Sequence, residues 1–396
     1  MEKTKKIRRI IQDVRRYGDE AVAKYALIFD KAKIRDFLVS EKEIADSYKL
    51  IDKTALQCLK TAAANIKYFS KKQLKQYKNL EYTKKGVTLG QKIIPIERVG
   101  CYVPGGNYPL PSSALMSVIP AKIAGVKEII VCSPKIKPAT IVAADIAGAD
   151  KIFRIGGVQA IAAMALGTEQ IPKVDKIVGP GNIYISLAKK ELYGNIGIDF
   201  IAGPSEILII ADETAKPEFV AADLLAQAEH DVSAKLVLIA TSKHLVDAVN
   251  TEIKKQLAEL KTKEIAEKSL KNLKIIVVNT IDNAIDIANK KAPEHLELQI
   301  KEPEKYSSKC RNYGSLFLGN FSAEVFGDYC SGINHILPTG GAARYTGGLS
   351  VKDFIKIQTY QIITKKGANK IASIASKLAE MEGLYAHKNA SEIRKS

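Results

Sequence analysis

Between Ile93 and Leu192 one phrase recurs: a short apolar run, a turn rich in glycine or proline, and a helix-patterned segment. Arg98 to Val103 leads into the loop Pro104-Gly105-Gly106-Asn107-Tyr108-Pro109-Leu110-Pro111 and a helical pattern through Ala114 to Ala124. Glu128 to Cys132 precedes a helical Ile141 to Ala147, and Lys151 to Ile155 precedes Gly156-Gly157-Val158-Gln159 and a helical Ala160 to Leu166. Lys176 to Val178 precedes Gly179-Pro180-Gly181-Asn182 and a helix to Leu192. Parallel strands need a crossover between them, and a helix is the usual one, so this repeat specifies a parallel α/β sheet. Its turns stand where strands end and helices begin, which is where ligands bind such sheets and where helix N-termini attract phosphate. None of them spells GxGxxG, so spacing alone does not assign a dinucleotide.

A second series opens with Glu206 to Ile210. It continues through the helical run ending near Gln227, the strand Lys235 to Ile239, a long charged helix from Lys243 to Ala266, and the strand Ile275 to Val278. Ahead of both series, Ile7, Ile10, Ile11 and Val14 form a helical stripe broken at Gly18-Asp19, and Ile51, Leu56, Leu59, Ala62 and Ile66 form another. The expected organisation is a helical segment 1–92, α/β units at 93–212 and 213–350, and a helical segment 351–396.

Composition narrows the class. An apolar share of 46% and a charged share of 26% are ordinary for a soluble globular protein. No apolar run reaches membrane-span length, and the basic N-terminus leads into an amphipathic pattern rather than a signal-peptide block, so a cytoplasmic location is expected. Five scattered cysteines (Cys58, Cys101, Cys132, Cys310, Cys330) without a CxxC argue against a disulfide framework and against a thiolate zinc site. The net charge of +17 is spread along helical faces with acids among the lysines and without interleaved aromatics, so no nucleic-acid or membrane partner is expected.

Four of the five histidines keep chemical company. Gln227 and His230 are three residues apart, sharing a face if helical, and can begin a metal site that an acid completes. Pro293-Glu294-His295 places two bases together after a proline suited to a helix start or a tight turn, and they can serve two successive proton transfers. Asp328, expected in a loop, adds a hard carboxylate ahead of His335. Glu382 and His387, five apart, can meet one ligand only if Gly383 breaks the helix between them. At this level the residues allow a zinc metallohydrolase with Glu294 as general base as well as a dehydrogenase.

Taken together, Ala202-Gly203-Pro204-Ser205-Glu206, Leu225 to Asp231, Ala292-Pro293-Glu294-His295-Leu296, Gly327-Asp328-Tyr329, His335 to Thr339 and Ala386-His387-Lys388-Asn389-Ala390 closely resemble histidinol dehydrogenases. Tyr102 to Gly106, Gly156 to Ala160 and Val178 to Asn182 extend the likeness over nearly the whole chain. The resemblance implies two Rossmann-like three-layer units related to aldehyde dehydrogenases. It also implies oxidation of L-histidinol through L-histidinal to L-histidine with two NAD⁺, the last steps of histidine biosynthesis. Zinc would be held by Gln227, His230, Asp328 and His387, with Glu294 and His295 catalytic. Ser205, His335 and Glu382 would join Gln227, His230, His295, Asp328 and His387 in binding substrate, and Tyr102, Gln159 and Asn182 would contact NAD. A homodimer is implied, in which His387 and Glu382 complete the neighbour's site.

Overall fold

The computed structural model describes residues 2–105 and 109–395; Gly106, Asn107 and Tyr108 of the turn-rich loop lie outside the described residues. Three helices open the chain: α1 (Glu2–Asp30), bent at Gly18, α2 (Glu41–Lys49) and α3 (Lys53–Leu74). The second apolar stripe starts ahead of α3, at Ile51 between two helices, because Ser40 and Asp52 each cap a fresh start, Ser40 in a reciprocal capping box with Glu43. Next comes an antiparallel hairpin of β1 (Leu80–Lys84) and β2 (Val87–Pro95).

The first parallel sheet holds β3 (Arg98–Tyr102), β4 (Glu128–Cys132), β5 (Lys151–Phe153), β6 (Lys176–Val178) and β7 (Gly197–Ile198), in the order β5-β4-β3-β6-β7. Its helices are α4 (Pro111–Ala124), α5 (Pro138–Ala147), α6 (Gly157–Leu166) and α7 (Ile183–Leu192). Alternation along the strands makes three layers. Ile129 and Val131 pack with α3, α4 and α5, whereas Ile130 and Cys132 face α1, α6 and α7.

The second parallel sheet holds β8 (Glu206–Ala211), β9 (Lys235–Ala240), β10 (Lys274–Val277), β11 (His295–Gln299) and β12 (Ser315–Leu318), in the order β10-β9-β8-β11-β12. Ile207 and Ile209 pack with α8 (Pro217–Ala228), α9 (Lys243–Glu259) and α10 (Lys263–Leu270). Leu208 and Ile210 pack with α11 (Ile281–Lys291), and a short α12 (Glu324–Tyr329) follows β12. Two expectations change here. The boundary at 212 would leave β8 with the first unit, but β8 is the central strand of the second sheet, paired with β9 and β11. The long charged helix is two helices, interrupted at Leu260, whose extended backbone (ψ 127) cannot continue a helix.

The flanking segments are not helical throughout. Beyond the β1–β2 hairpin, residues 355–363 form β13 (Ile355–Ile363), antiparallel to β2, before α13 (Lys365–Met381) and α14 (Tyr385–Glu392). Ile355, Ile357, Thr359, Tyr360, Ile362 and Ile363 are β-branched or aromatic, the residues that favour a pleated surface. Among the described residues no helix is long and apolar enough to cross a membrane.

Candidate active site at the amino ends of two strands

The helix α11 ends on Ala292 in the left-handed region (φ 52), and Pro293 makes the tight turn that follows rather than starting a helix. That turn delivers Glu294 and His295, both buried, to the amino end of β11. The backbone of one residue fixes both. The backbone N–H of Glu206, at the start of neighbouring β8, donates to Glu294 Oε2 at 2.8 Å, and His295 Nδ1 lies 3.1 Å from the Glu206 carbonyl oxygen. A carbonyl only accepts, so Nδ1 carries the proton and Nε2 is the open nitrogen of the neutral ring. That Nε2 is buried without a hydrogen-bond partner and lies 3.7 Å from Asp328 Oδ1. Burial pushes the Glu294 carboxyl up to about 7, against the opposing pull of His295. Burial also works to lower His295, but the carboxylates of Glu324, Glu294 and Asp328 outweigh it and raise the imidazole well above its ordinary value.

Two helices bring the remaining groups. Gln227 is on the last turn of α8 and His230 lies just beyond, its N–H bonded to the Gln227 carbonyl at 3.4 Å. Glu324 and Asp328 share one face of α12, four residues apart, so Asp328 is helical rather than in a loop. Donor atoms of His230, Glu324 and Asp328 all lie within 4.8 Å of one another. Oriented to satisfy its surroundings, the Gln227 amide donates from nitrogen to Glu324 Oε1 at 2.7 Å and to Oε2 at 3.3 Å. His335 places Nδ1 3.0 Å from the Asp328 carbonyl and Nε2 3.2 Å from Ser113 Oγ on α4.

This cluster fits a divalent cation. Asp223, Glu294, Glu297 and Glu324 are buried, Asp328 nearly so, and among the described residues no lysine or arginine pairs with any of them; only His295 comes within ion-pair range. Burial pushes Glu294, Glu297 and Glu324 toward holding protons rather than bare charge, and a cation among carboxylate, imidazole and amide donors can take the protons' place. No cysteine is among the converging donors, and all five thiols are free.

The glycine turns of the first sheet form a second locus. Tyr102 closes β3, buried, its hydroxyl 3.3 Å from the Gly157 N–H. Gln159, in the first turn of α6, is fully buried with neither amide atom partnered. Gly157 (φ +71) lies so close that a β-carbon there would sit 2.6 Å from Gln159 Oε1. Gly179 (φ +117) is pressed onto β3, where a β-carbon would fall 2.0 Å from the Tyr102 carbonyl oxygen. Asn182 caps α7 by accepting from the N–H groups of Tyr184 and Ile185. An orphaned buried amide beside helix N-termini is a place with donors and acceptors to offer a polar ligand.

Ser205 is half-buried at the edge of the first locus, directly before Glu206. Glu382 and His387 are elsewhere. Gly383 (φ +74) does break the helix between them, but both are exposed on α13 and α14, and His387 is not among the donors that meet within this chain. Sequence reading missed Glu324, the Glu206 backbone, the pair Asp223 and Glu297, and Ser113. Glu324 and Asp223 left a signal, each four residues before a predicted site residue, Asp328 and Gln227.

A family model described as histidinol dehydrogenase matches residues 1–395. The histidinol dehydrogenase of Methanocaldococcus jannaschii is 48% identical over 386 residues, covering 96% of this chain and 90% of its own. That of Clostridium acetobutylicum is 46% identical over 396 residues, covering 98% and 92%. The crystal structure of the Elizabethkingia anophelis histidinol dehydrogenase superposes with a TM-score of 0.94 at 42% identity, covering 98% of this chain and 91% of that one. An acetylating aldehyde dehydrogenase from Geobacillus thermoglucosidasius shares the fold alone, with a TM-score of 0.54 at 14% identity over 92% and 97%.

Proposed function

The chain belongs to the histidinol dehydrogenase family, and from that premise we propose that it oxidises L-histidinol through L-histidinal to L-histidine, reducing two NAD⁺, with one zinc ion per subunit. The observation that carries the reading is His295: Nδ1 pinned to a backbone carbonyl, Nε2 open and facing Asp328.

Zinc, held by Gln227, His230, Asp328 and a neighbour's histidine, would anchor the imidazole and amine of the substrate and counter the carboxylate field around His295. NAD⁺, seated at Tyr102, Gln159 and Asn182, would accept the hydride in each oxidation. His295 takes the alcohol proton at Nε2 as the carbon gives up hydride, yielding aldehyde and the first NADH. Glu294, pushed up to about 7 and therefore ready to exchange a proton near neutrality, deprotonates the water that hydrates the aldehyde. His295 returns its proton to the aldehyde oxygen as that water adds, and is then free to take a proton of the hydrated aldehyde as the second hydride leaves, yielding the second NADH. The acid so formed releases its proton to give the carboxylate. His335, braced between Asp328 and Ser113, and Ser205 would bind the substrate. Burial of the pair Glu294 and His295 keeps bulk water from the aldehyde.

The site is shared across a homodimer. His387 and Glu382 are exposed, His387 is not among the donors that meet within its own chain, and the helical segments beside them expose Ile374, Leu378, Met381, Tyr385 and Ile393, an apolar surface suited to a second subunit. The enzyme works in the cytoplasm, where five free thiols stay reduced. The test is direct: with NAD⁺ and histidinol, the near-ultraviolet absorbance of NADH should grow to two equivalents per histidinol. One equivalent would overturn the two-step assignment, and none would overturn the dehydrogenase reading.

A further inference from the structure

The hydrogen bonds around Gln227 close a ring. Its amide nitrogen donates to both oxygens of Glu324, and the Glu324 backbone N–H donates to Glu297 Oε1 at 2.9 Å. Gln299 Nε2 donates to Glu297 Oε2 at 3.0 Å and to Asp223 Oδ2 at 2.7 Å. Asp223 stands one helical turn before Gln227 on α8, which completes the circuit. All five side chains are buried. The ring therefore joins the helix carrying Gln227 and leading to His230, the strand carrying His295, and the helix carrying Asp328.

An amide in a metal site has an orientation problem that a carboxylate does not. Its oxygen can ligate a cation, its NH₂ cannot, and the two ends are nearly the same size. Something outside the amide must choose. Glu324 is the group placed to do so: both its oxygens lie against one end of the amide, at 2.7 and 3.3 Å, and only the NH₂ end has two hydrogens to give. Resting on the metal reading above, we propose that Glu324 is a positioning residue: it holds the Gln227 nitrogen, turns the Gln227 oxygen toward the cation, and with Glu297 and Asp223 keeps α8 and α12 in register across β11. Groups of this kind behind metal ligands typically govern affinity by about 10–100-fold. The competing role, a direct ligand, is the alternative the experiment separates, since a Glu324 oxygen also lies within 4.8 Å of donors on His230 and Asp328.

The experiment measures zinc affinity by chelator competition and the visible spectrum of the Co²⁺-loaded full-length protein. Glu324→Gln should weaken zinc binding by about 10–100-fold while keeping the Co²⁺ band positions, because the ligands remain and only their orientation is loosened. The exchanged pair, Gln227→Glu with Glu324→Gln, restores one carboxylate and one amide in mutual contact, with an oxygen facing the cation either way. It should recover affinity to within about threefold of wild type. Unchanged zinc affinity in Glu324→Gln, or no recovery in the exchanged pair, overturns the assignment. A change in Co²⁺ band position and intensity on Glu324→Gln alone makes Glu324 a ligand and also overturns it. If Glu324→Gln does not fold, Glu297→Gln, one step back in the ring, must weaken zinc binding in the same direction for the assignment to stand. If wild type takes up no stoichiometric zinc, or His230→Ala binds it as tightly as wild type, the metal reading itself falls and the assignment falls with it.

Discussion

The two parallel sheets have the same strand count and the same layered plan, yet their polar groups gather at opposite ends. In the first sheet, Tyr102, Gln159 and Asn182 lie where strands finish and helices start, and the buried charges of the locus, Lys189 and Asp199, pair with each other and hold Gly179. In the second, Glu206, Glu294 and His295 lie where β8 and β11 begin, and the locus is crowded with buried carboxylates. Helix polarity explains the division. At the carboxyl ends of strands the following helices present their positive N-termini, which suit a phosphate-bearing ligand. At the amino ends the preceding helices finish: α8 near Gln227 and α11 at Ala292 turn their negative C-termini toward the site. Such an end suits a cation and a proton-accepting histidine. One architecture thus supplies two complementary electrostatic environments, and a reaction needing both an anionic cofactor and a cation can use both.

Changes at the second sheet should stop chemistry without touching cofactor binding. The largest effect is expected from His295→Asn, about 10³-fold in kcat for both oxidations, with NADH affinity within a factor of about two. NADH fluorescence, excited at wavelengths that no amino-acid side chain absorbs, reports that affinity. Loss of NADH binding in this variant would erase the division between the sheets. Glu294→Gln comes next, costing aldehyde oxidation about 10²-fold or more and alcohol oxidation less. In wild type the aldehyde step should gain rate as pH rises through about 7 and Glu294 ionises, and the variant should lose that limb. Equal loss of both steps would count against the division of labour between Glu294 and His295.

The converse belongs to the first sheet. Gln159→Leu should weaken NADH binding about tenfold and leave zinc content intact. It should also hold or slightly raise the melting temperature, since it removes a buried amide that has no partner in the ligand-free protein. A fall of several degrees would mark Gln159 as structural. The smallest effect concerns pH and stability. Burial, reinforced by Glu297, pushes folded Asp223 up to about 8 from its ordinary 3.8. Between those values the folded protein binds the proton more tightly than the unfolded chain, so stability falls as pH rises across the window. Asp223→Asn should flatten that slope in urea melts of metal-free protein; an unaltered slope would place the proton elsewhere.

Seven of the ten strands of the two sheets were legible in the sequence because fully buried parallel strands are short apolar runs between turn residues, as Glu128 to Cys132 and Lys176 to Val178 are. The strands β7, β11 and β12 were not, β11 because His295, Glu297 and Gln299 break its apolar run. The largely exposed β13 was not, because only Ile355 and Tyr360 are even partly buried, so no buried face marks it, and its register depends on β2, some 260 positions earlier. Histidines and acids near glycine turns marked which residues matter. Their chemistry was another matter: that Glu206 contributes its backbone, that Glu324 stands between Gln227 and His295, and that Ser113 reaches His335 follow from contacts between residues far apart in the chain. A sequence by itself determines which segments must be buried, since burial is written in local periodicity. It does not determine which buried groups face each other. Only the tertiary structure decided that five acids would share one dry space, and desolvation and mutual repulsion there, absent from any single residue, set their protonation.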